Sequence, residues 1–242
     1  MCTVTIVPRD DGGFRLVCNR DERRTRPEAL GPRLHRLNRH MAVFPTDPFG
    51  GGTWIGVNDA GLAMTILNRN VPTDADGQLT SSGRAPCSRG VIIPALLEYS
   101  TLDEALEAAG TFAPARFEPF RLLIIQDARV GVITNDGRSL SFDVSRMSQP
   151  LLFTSSSLGD ALVEEPRRRA FAELVLNDVS AWLPAQLRFH CSRWLQWPDL
   201  SVVMERADAR TVSRTVVDVG RDEIHVDYEP LTGLDSAAVR VA

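Results

Sequence analysis

Cysteine is the second residue of this chain, and an Asn19-Arg20-Asp21-Glu22 tetrapeptide follows within the reach of a β-hairpin. Loss of the initiator methionine ahead of so small a residue would leave Cys2 with a thiol and an α-amine on one Cα. The thiol titrates near about 8.5 and the amine near about 7.7–8.0, so at neutral pH the free amine can act as base for its own nucleophile. Arg20 would favour the thiolate or hold an anionic group of a substrate. Asp21 would hold the amine, as a third group orients the base of a catalytic triad. A blander reading exists for each residue. A cysteine can simply begin a strand, and Arg20 to Arg26 can be a solvated charge run. The convergence of the two segments favours the chemical reading.

A hairpin must bring them together. Thr3 to Val7 is rich in β-branched residues and predicts a strand, Pro8 to Gly13 a turn, and Phe14 to Cys18 the returning strand. With Val7 placed opposite Phe14, Thr3 falls opposite Cys18, and Cys2 opposite Asn19 and beside Arg20 and Asp21. Cys18 lies inside a strand and reads as buried and inert. Thr53 to Val57, the turn Asn58 to Gly61, and Leu62 to Leu67 form a second hairpin signal. Asn68 ends its return strand, where a side-chain amide could stabilise an oxyanion or merely begin a turn. Trp54 could line a pocket or belong to the core.

Composition narrows the alternatives. With 43% hydrophobic and 24% charged residues the chain reads as an ordinary soluble globular protein, and 242 residues suffice for one large core. A formal net charge of −4 gives no argument for nucleic acid or an anionic membrane surface. The arginine clusters, including Arg167 to Arg169, are interleaved with acids and read as solvated faces. Four cysteines without a CxxC pair, and four histidines (His35, His40, His190, His225) without ligand-like spacing, argue against a metal site and a disulfide scaffold. Neither a signal peptide nor an apolar run of membrane-spanning length is visible, so a cytoplasmic location is expected. Nothing in the sequence sets the oligomeric state.

The rest of the chain alternates in blocks. Arg23 to Pro32 reads as a loop, Met41 to Phe44 as a short strand, and Val71 to Pro86 as a polar loop. Helices are predicted over Val91 to Tyr99 and Leu102 to Gly110, the second with Thr101 as N-cap and Glu104 completing a capping box. Strands follow at Phe120 to Gln126, Val130 to Asn135, Ser139 to Asp143 and Leu151 to Thr154. Helices then fall over Pro166 to Asn177 and within Ala181 to Gln196, and strands at Asp199 to Glu205, Thr211 to Val219 and Glu223 to Tyr228. Strands, helices, strands, helices, strands in blocks define an α+β class, and with no linker in sight one domain over 1–242 is the simpler organisation.

Four segments carry a family resemblance: MCTVTIV at the start, CNRDE at Cys18 to Glu22, GGTWIGVNDAG at Gly51 to Gly61, and ADARTVSRTVV at Ala207 to Val217. Together they resemble the NRDE family, also called the Transport and Golgi organization 2 family. That family in turn resembles the N-terminal nucleophile (Ntn) hydrolases of the choloylglycine hydrolase and penicillin V acylase type. The resemblance implies a four-layer αββα sandwich and hydrolysis of a linear amide. By motif it makes Cys2 the nucleophile, Arg20 and Asp21 its companions, Asn68 the oxyanion donor and Arg214 a later active-site arginine. Asn19, Trp54, Ser155 and Ser156 become candidates to line the substrate site. The acylases carry a further asparagine after a mid-chain strand; here that stretch is Phe153-Thr154-Ser155-Ser156-Ser157. A small molecule is the implied partner and no cofactor is required. The alternative attached to the family is a non-enzymatic carrier in haem trafficking or lipid homeostasis, with haem as cargo on Cys2 or a histidine.

Overall fold

A computed structural model describes residues 2–70, 86–231 and 237–241. The expected polar loop lies, but for Pro86, outside these residues, as does Met1. The strands form two antiparallel sheets. Six strands make the first: β1 (Cys2–Pro8), β2 (Phe14–Arg23), β10 (Leu151–Ser155), β11 (Ala209–Val219), β12 (Ile224–Pro230) and β13 (Ala237–Val241), in the order β10-β1-β2-β11-β12-β13. Seven make the second, in sequence order: β3 (Leu30–Arg36), β4 (Met41–Thr46), β5 (Ile55–Asn58), β6 (Ala63–Asn68), β7 (Phe120–Gln126), β8 (Arg129–Asn135) and β9 (Leu140–Arg146).

The sheets face one another across an apolar core. Val4, Ile6, Phe14 and Leu16 meet Ile55, Val57, Ala63 and Leu123 there, all fully buried. Helices α1 (Ile92–Leu96) and α2 (Leu102–Ala109) pack on the second sheet. The capping box that starts α2 forms as its sequence predicts: Glu104 N–H donates to the Thr101 hydroxyl and Thr101 N–H to the Glu104 carboxylate. Helices α3 (Asp160–Phe171) and α4 (Trp182–His190) cover the first sheet, with Phe171, Val175, Ala185, Phe189 and Val202 forming a second apolar cluster. The layers are therefore αββα, as the resemblance implied.

Period-two alternation in β1 and β2 decides what each residue sees. Cys2, Val4 and Ile6 face the inter-sheet core, whereas the Thr3 and Thr5 hydroxyls bond Arg167 and His190 on the helix side. The hairpin register differs by one residue from the sequence expectation: Pro8 pairs with Phe14, Val4 with Cys18 and Cys2 with Arg20. Pro8 belongs to the strand, because the loop closes one residue later, through Arg9 N–H to the Gly13 carbonyl at 2.9 Å. Gly12 takes a φ of 87° within that loop, a conformation only glycine adopts freely. A one-residue slip exchanges the faces of a strand, so Cys2 shares its face with Arg20 and not with Asn19.

Other expectations also change. Leu30 to Pro32 is strand, because Pro32 sits on an edge strand at a register shift between Leu30 and Arg33, where its missing N–H interrupts no ladder. Residues 199–205 are turns and not a strand: the Leu200 and Ser201 carbonyls accept from the Arg167 guanidinium, and Val203 N–H donates to the Ser192 carbonyl. Arg167 itself is 1% exposed, no part of a solvated face. Strand β13 went unpredicted.

Candidate active site

Cys2 begins a strand flanked on both sides, by β2 and β10, and lines a cavity of about 1020 Å³ between the two sheets. Arg20, Trp54, Asn68, Arg89 and Glu118 share its walls. The Cys2 side chain is 4% exposed and its main-chain N–H donates to the Ser155 hydroxyl at 3.1 Å. That bond follows from register, since Cys2 pairs with Ser155 on one side and Arg20 on the other.

Arg20 is locked in place. Its Nη2 donates to Asp47 Oδ2 at 2.9 Å and to Glu22 Oε2 at 3.2 Å, and its guanidinium lies 4.3 Å from the centre of the Trp54 ring. Asp47 also accepts from Arg26 Nη2 at 2.6 Å. Burial would raise the Asp47 carboxyl, but Arg26, the Gly50 N–H and Arg20 together hold it below the usual carboxylate range. Asp21 is buried on the opposite face of β2, where Thr211 Oγ1 donates to its Oδ1 at 2.6 Å. Burial raises its carboxyl, with the Arg167 charge opposing.

The Cys2 thiol is lowered from its ordinary value. A hydrogen bond from the Cys18 thiol is the main cause and outweighs burial; Arg20 adds to it and Asp21 opposes. Cys18 is raised well above the ordinary value by the same contact and by its own burial. Diagonal placement on one face of the β1–β2 ladder makes the pair.

Asn68 ends β6 and lines the cavity. Ser155 comes to the main-chain nitrogen of Cys2. Ser156 does not reach the cavity wall; its hydroxyl accepts from Leu158 N–H and its own N–H donates to Asp160. Asn19 points to the helix layer, where its amide donates to the His190 and Val202 carbonyls at 2.9 and 3.1 Å. Arg214 pairs with Asn19 in register and so takes the same face, bonding Cys191 Sγ at 2.7 Å and the Glu229 carboxylate. The structure thus gathers Cys2, Arg20, Asp21, Trp54 and Asn68 around one cavity, holds Ser155 at the Cys2 nitrogen, and sends Asn19, Ser156 and Arg214 elsewhere. It adds Arg89, whose Nη1 donates to the Pro119 carbonyl at 2.8 Å, and Asp47, the anchor of Arg20. No local pattern marks either residue. Among the described residues no group of His, Cys, Asp and Glu is arranged to hold a metal ion.

This αββα sandwich is the fold of the Ntn hydrolases, to which solved structures match along nearly the whole chain. Penicillin V acylase from Agrobacterium tumefaciens aligns at a TM-score of 0.59 and 14% identity, covering 98% of this chain and 86% of that one. A Caenorhabditis elegans N-acylethanolamine-hydrolyzing acid amidase ortholog aligns at 0.59 and 17%, covering 89% and 92%. A mutant conjugated bile acid hydrolase from Clostridium perfringens aligns at 0.55 and 12%, covering 99% and 92%. At such identities the likeness is one of fold. The chain belongs to the Transport and Golgi organisation 2 family, whose model matches residues 1–179. No curated protein matches it.

Proposed function

We propose that this protein is an N-terminal cysteine hydrolase that cleaves a linear amide bond of a small molecule. The observation that carries the reading is the placement of Cys2. Its sulfur faces a cavity large enough for a small substrate, and its main-chain nitrogen is held by Ser155. Once Met1 is removed, that nitrogen is an α-amine one Cα away from the thiol. The amine takes the thiol proton as the thiolate attacks the carbonyl, and returns it to the departing amine. Asn68, with a main-chain N–H, is the donor for the tetrahedral oxyanion. Arg20, fixed by Asp47 and Trp54, supplies positive charge that favours the thiolate. Water activated by the α-amine then releases the acyl group.

Intact mass of the purified protein, before and after a small thiol-reactive amide or lactam probe, tests this directly. Loss of Met1 together with a single adduct on Cys2 is expected. Retained Met1, or a Cys2 that stays unlabelled, overturns the mechanism and favours a carrier on the same fold. For haem as cargo, Cys2 is the candidate axial ligand in the cavity, since no histidine is among its described lining residues. A saturable Soret shift on haem titration would then identify the carrier.

A further inference from the structure

A second sulfur that the hydrolytic mechanism does not consume lies next to Cys2 on the β1–β2 pair. Val4 pairs with Cys18 and Cys2 with Arg20, so the Cys18 side chain lies on the same face as Cys2, one diagonal step away. Cys18 is fully buried on that face. Cys87, outside the strands, lines the same cavity and accepts from Arg116, and Cys191 accepts from Arg214 on the helix side. Of the four cysteines, only Cys2 and Cys18 share a face of one strand pair.

We propose that Cys18 is a resolving thiol for Cys2, so that oxidation of Cys2 by a peroxide ends in a reversible Cys2–Cys18 disulfide. The Cys2 thiolate attacks one oxygen of hydrogen peroxide; an S–O bond forms, the O–O bond breaks, and hydroxide leaves, leaving a sulfenic acid. The Cys18 sulfur then attacks the Cys2 sulfur. An S–S bond forms, the S–O bond breaks, and the departing hydroxyl leaves as water with the Cys18 proton. Overall two thiols lose two hydrogens and one peroxide becomes two waters. Diagonal neighbours in a ladder stand roughly 7–8 Å apart, against about 4.4–6.8 Å between the Cα atoms of a relaxed disulfide, so bridging draws Cys2 toward β2. Cys2 is the first residue of its strand, where such a shift disturbs fewer ladder bonds than it would mid-strand. Without Cys18 beside it on the strand pair, the same sulfenic acid proceeds to sulfinic and sulfonic acids, which thiols do not reverse; Cys87, also on the cavity wall, has its sulfur engaged by the Arg116 guanidinium.

The test treats the full chain with an excess of hydrogen peroxide and reads intact mass and non-reduced peptide maps. Wild type is expected to lose the mass of two hydrogens, to yield the peptide of Cys2 cross-linked to that of Cys18, and to recover on dithiothreitol. Cys18→Ala is expected to gain two or three oxygens on Cys2 that dithiothreitol does not remove. Bridging through Cys87 or Cys191, or accumulation of Cys2 sulfinic acid in wild type, overturns the proposal. Should Cys18→Ala fail to fold, Cys18→Val fills the same core position, and the wild-type peptide map decides alone. The readout is covalent mass rather than turnover, so it stands or falls apart from the amide reading.

Discussion

The main-chain nitrogen of Cys2 donates to the hydroxyl of Ser155 at 3.1 Å. Ser155 ends β10, and its short side chain points at the nitrogen that would become the catalytic base. The serine therefore orients the α-amine in the proposed mechanism. Ser155→Ala removes that acceptor and leaves the rest of the strand intact. A single hydrogen bond contributes about 0.5–1.5 kcal/mol, so kcat should fall by roughly 2- to 10-fold with KM unchanged. A rise in KM at constant kcat would instead place Ser155 on the substrate.

Asn68→Ala withdraws the proposed oxyanion donor. A loss of roughly 10²–10³ in kcat is expected, with the rate of Cys2 alkylation by a simple haloacetamide unaltered. Unchanged turnover would remove Asn68 from the mechanism.

His190 makes stability depend on pH. It is buried, with Nδ1 against Asn19 Oδ1 at 3.0 Å and Nε2 against Thr5 Oγ1 at 2.7 Å, one acceptor and one hydroxyl that together suit a neutral ring. Burial, followed by the Arg214 and Arg167 charges, pushes its pKa down to about 3. The unfolded chain takes up a proton near about 6.5 and the folded one does not. His190 stabilisation is thus fully present above that value and is lost as pH falls from there toward 3. Urea unfolding at pH 7.5 and 4.5 should show wild type losing about 2 kcal/mol more than His190→Gln over this interval. Equal losses would sink the assignment.

Arg167 holds the helix layer to β1. Its guanidinium donates to Thr3 Oγ1 and to the Leu200 and Ser201 carbonyls at 2.8–3.0 Å, and its charge faces the buried Asp21. Arg167→Met strands those acceptors and removes the largest charge that opposes the burial of Asp21. A destabilisation of about 3–5 kcal/mol in denaturant unfolding is expected. A value under about 1 kcal/mol would mean that other groups satisfy these acceptors.

Much of this architecture was legible in the chain alone, because its causes are local. Alternation along Thr3 to Val7, the capping box at Thr101 and Glu104, and the hairpin ending in Asn68 all rest on neighbours in sequence, and each formed. The NRDE tetrapeptide beside a Met-Cys start carried the family and the αββα layers. Tertiary structure decided the faces. A loop that closes at Arg9 and Gly13 instead of at Pro8 moves the register by one, turning Arg20 toward Cys2 and Asn19 toward His190. Arg214 followed Asn19 to the helix side for the same reason. The burial of Arg167, the anchoring of Arg20 by Asp47 and the meeting of Cys2 with Cys18 and Ser155 join residues far apart in the chain. Composition and periodicity report which residues prefer burial; only the paired strands determine which buried groups touch.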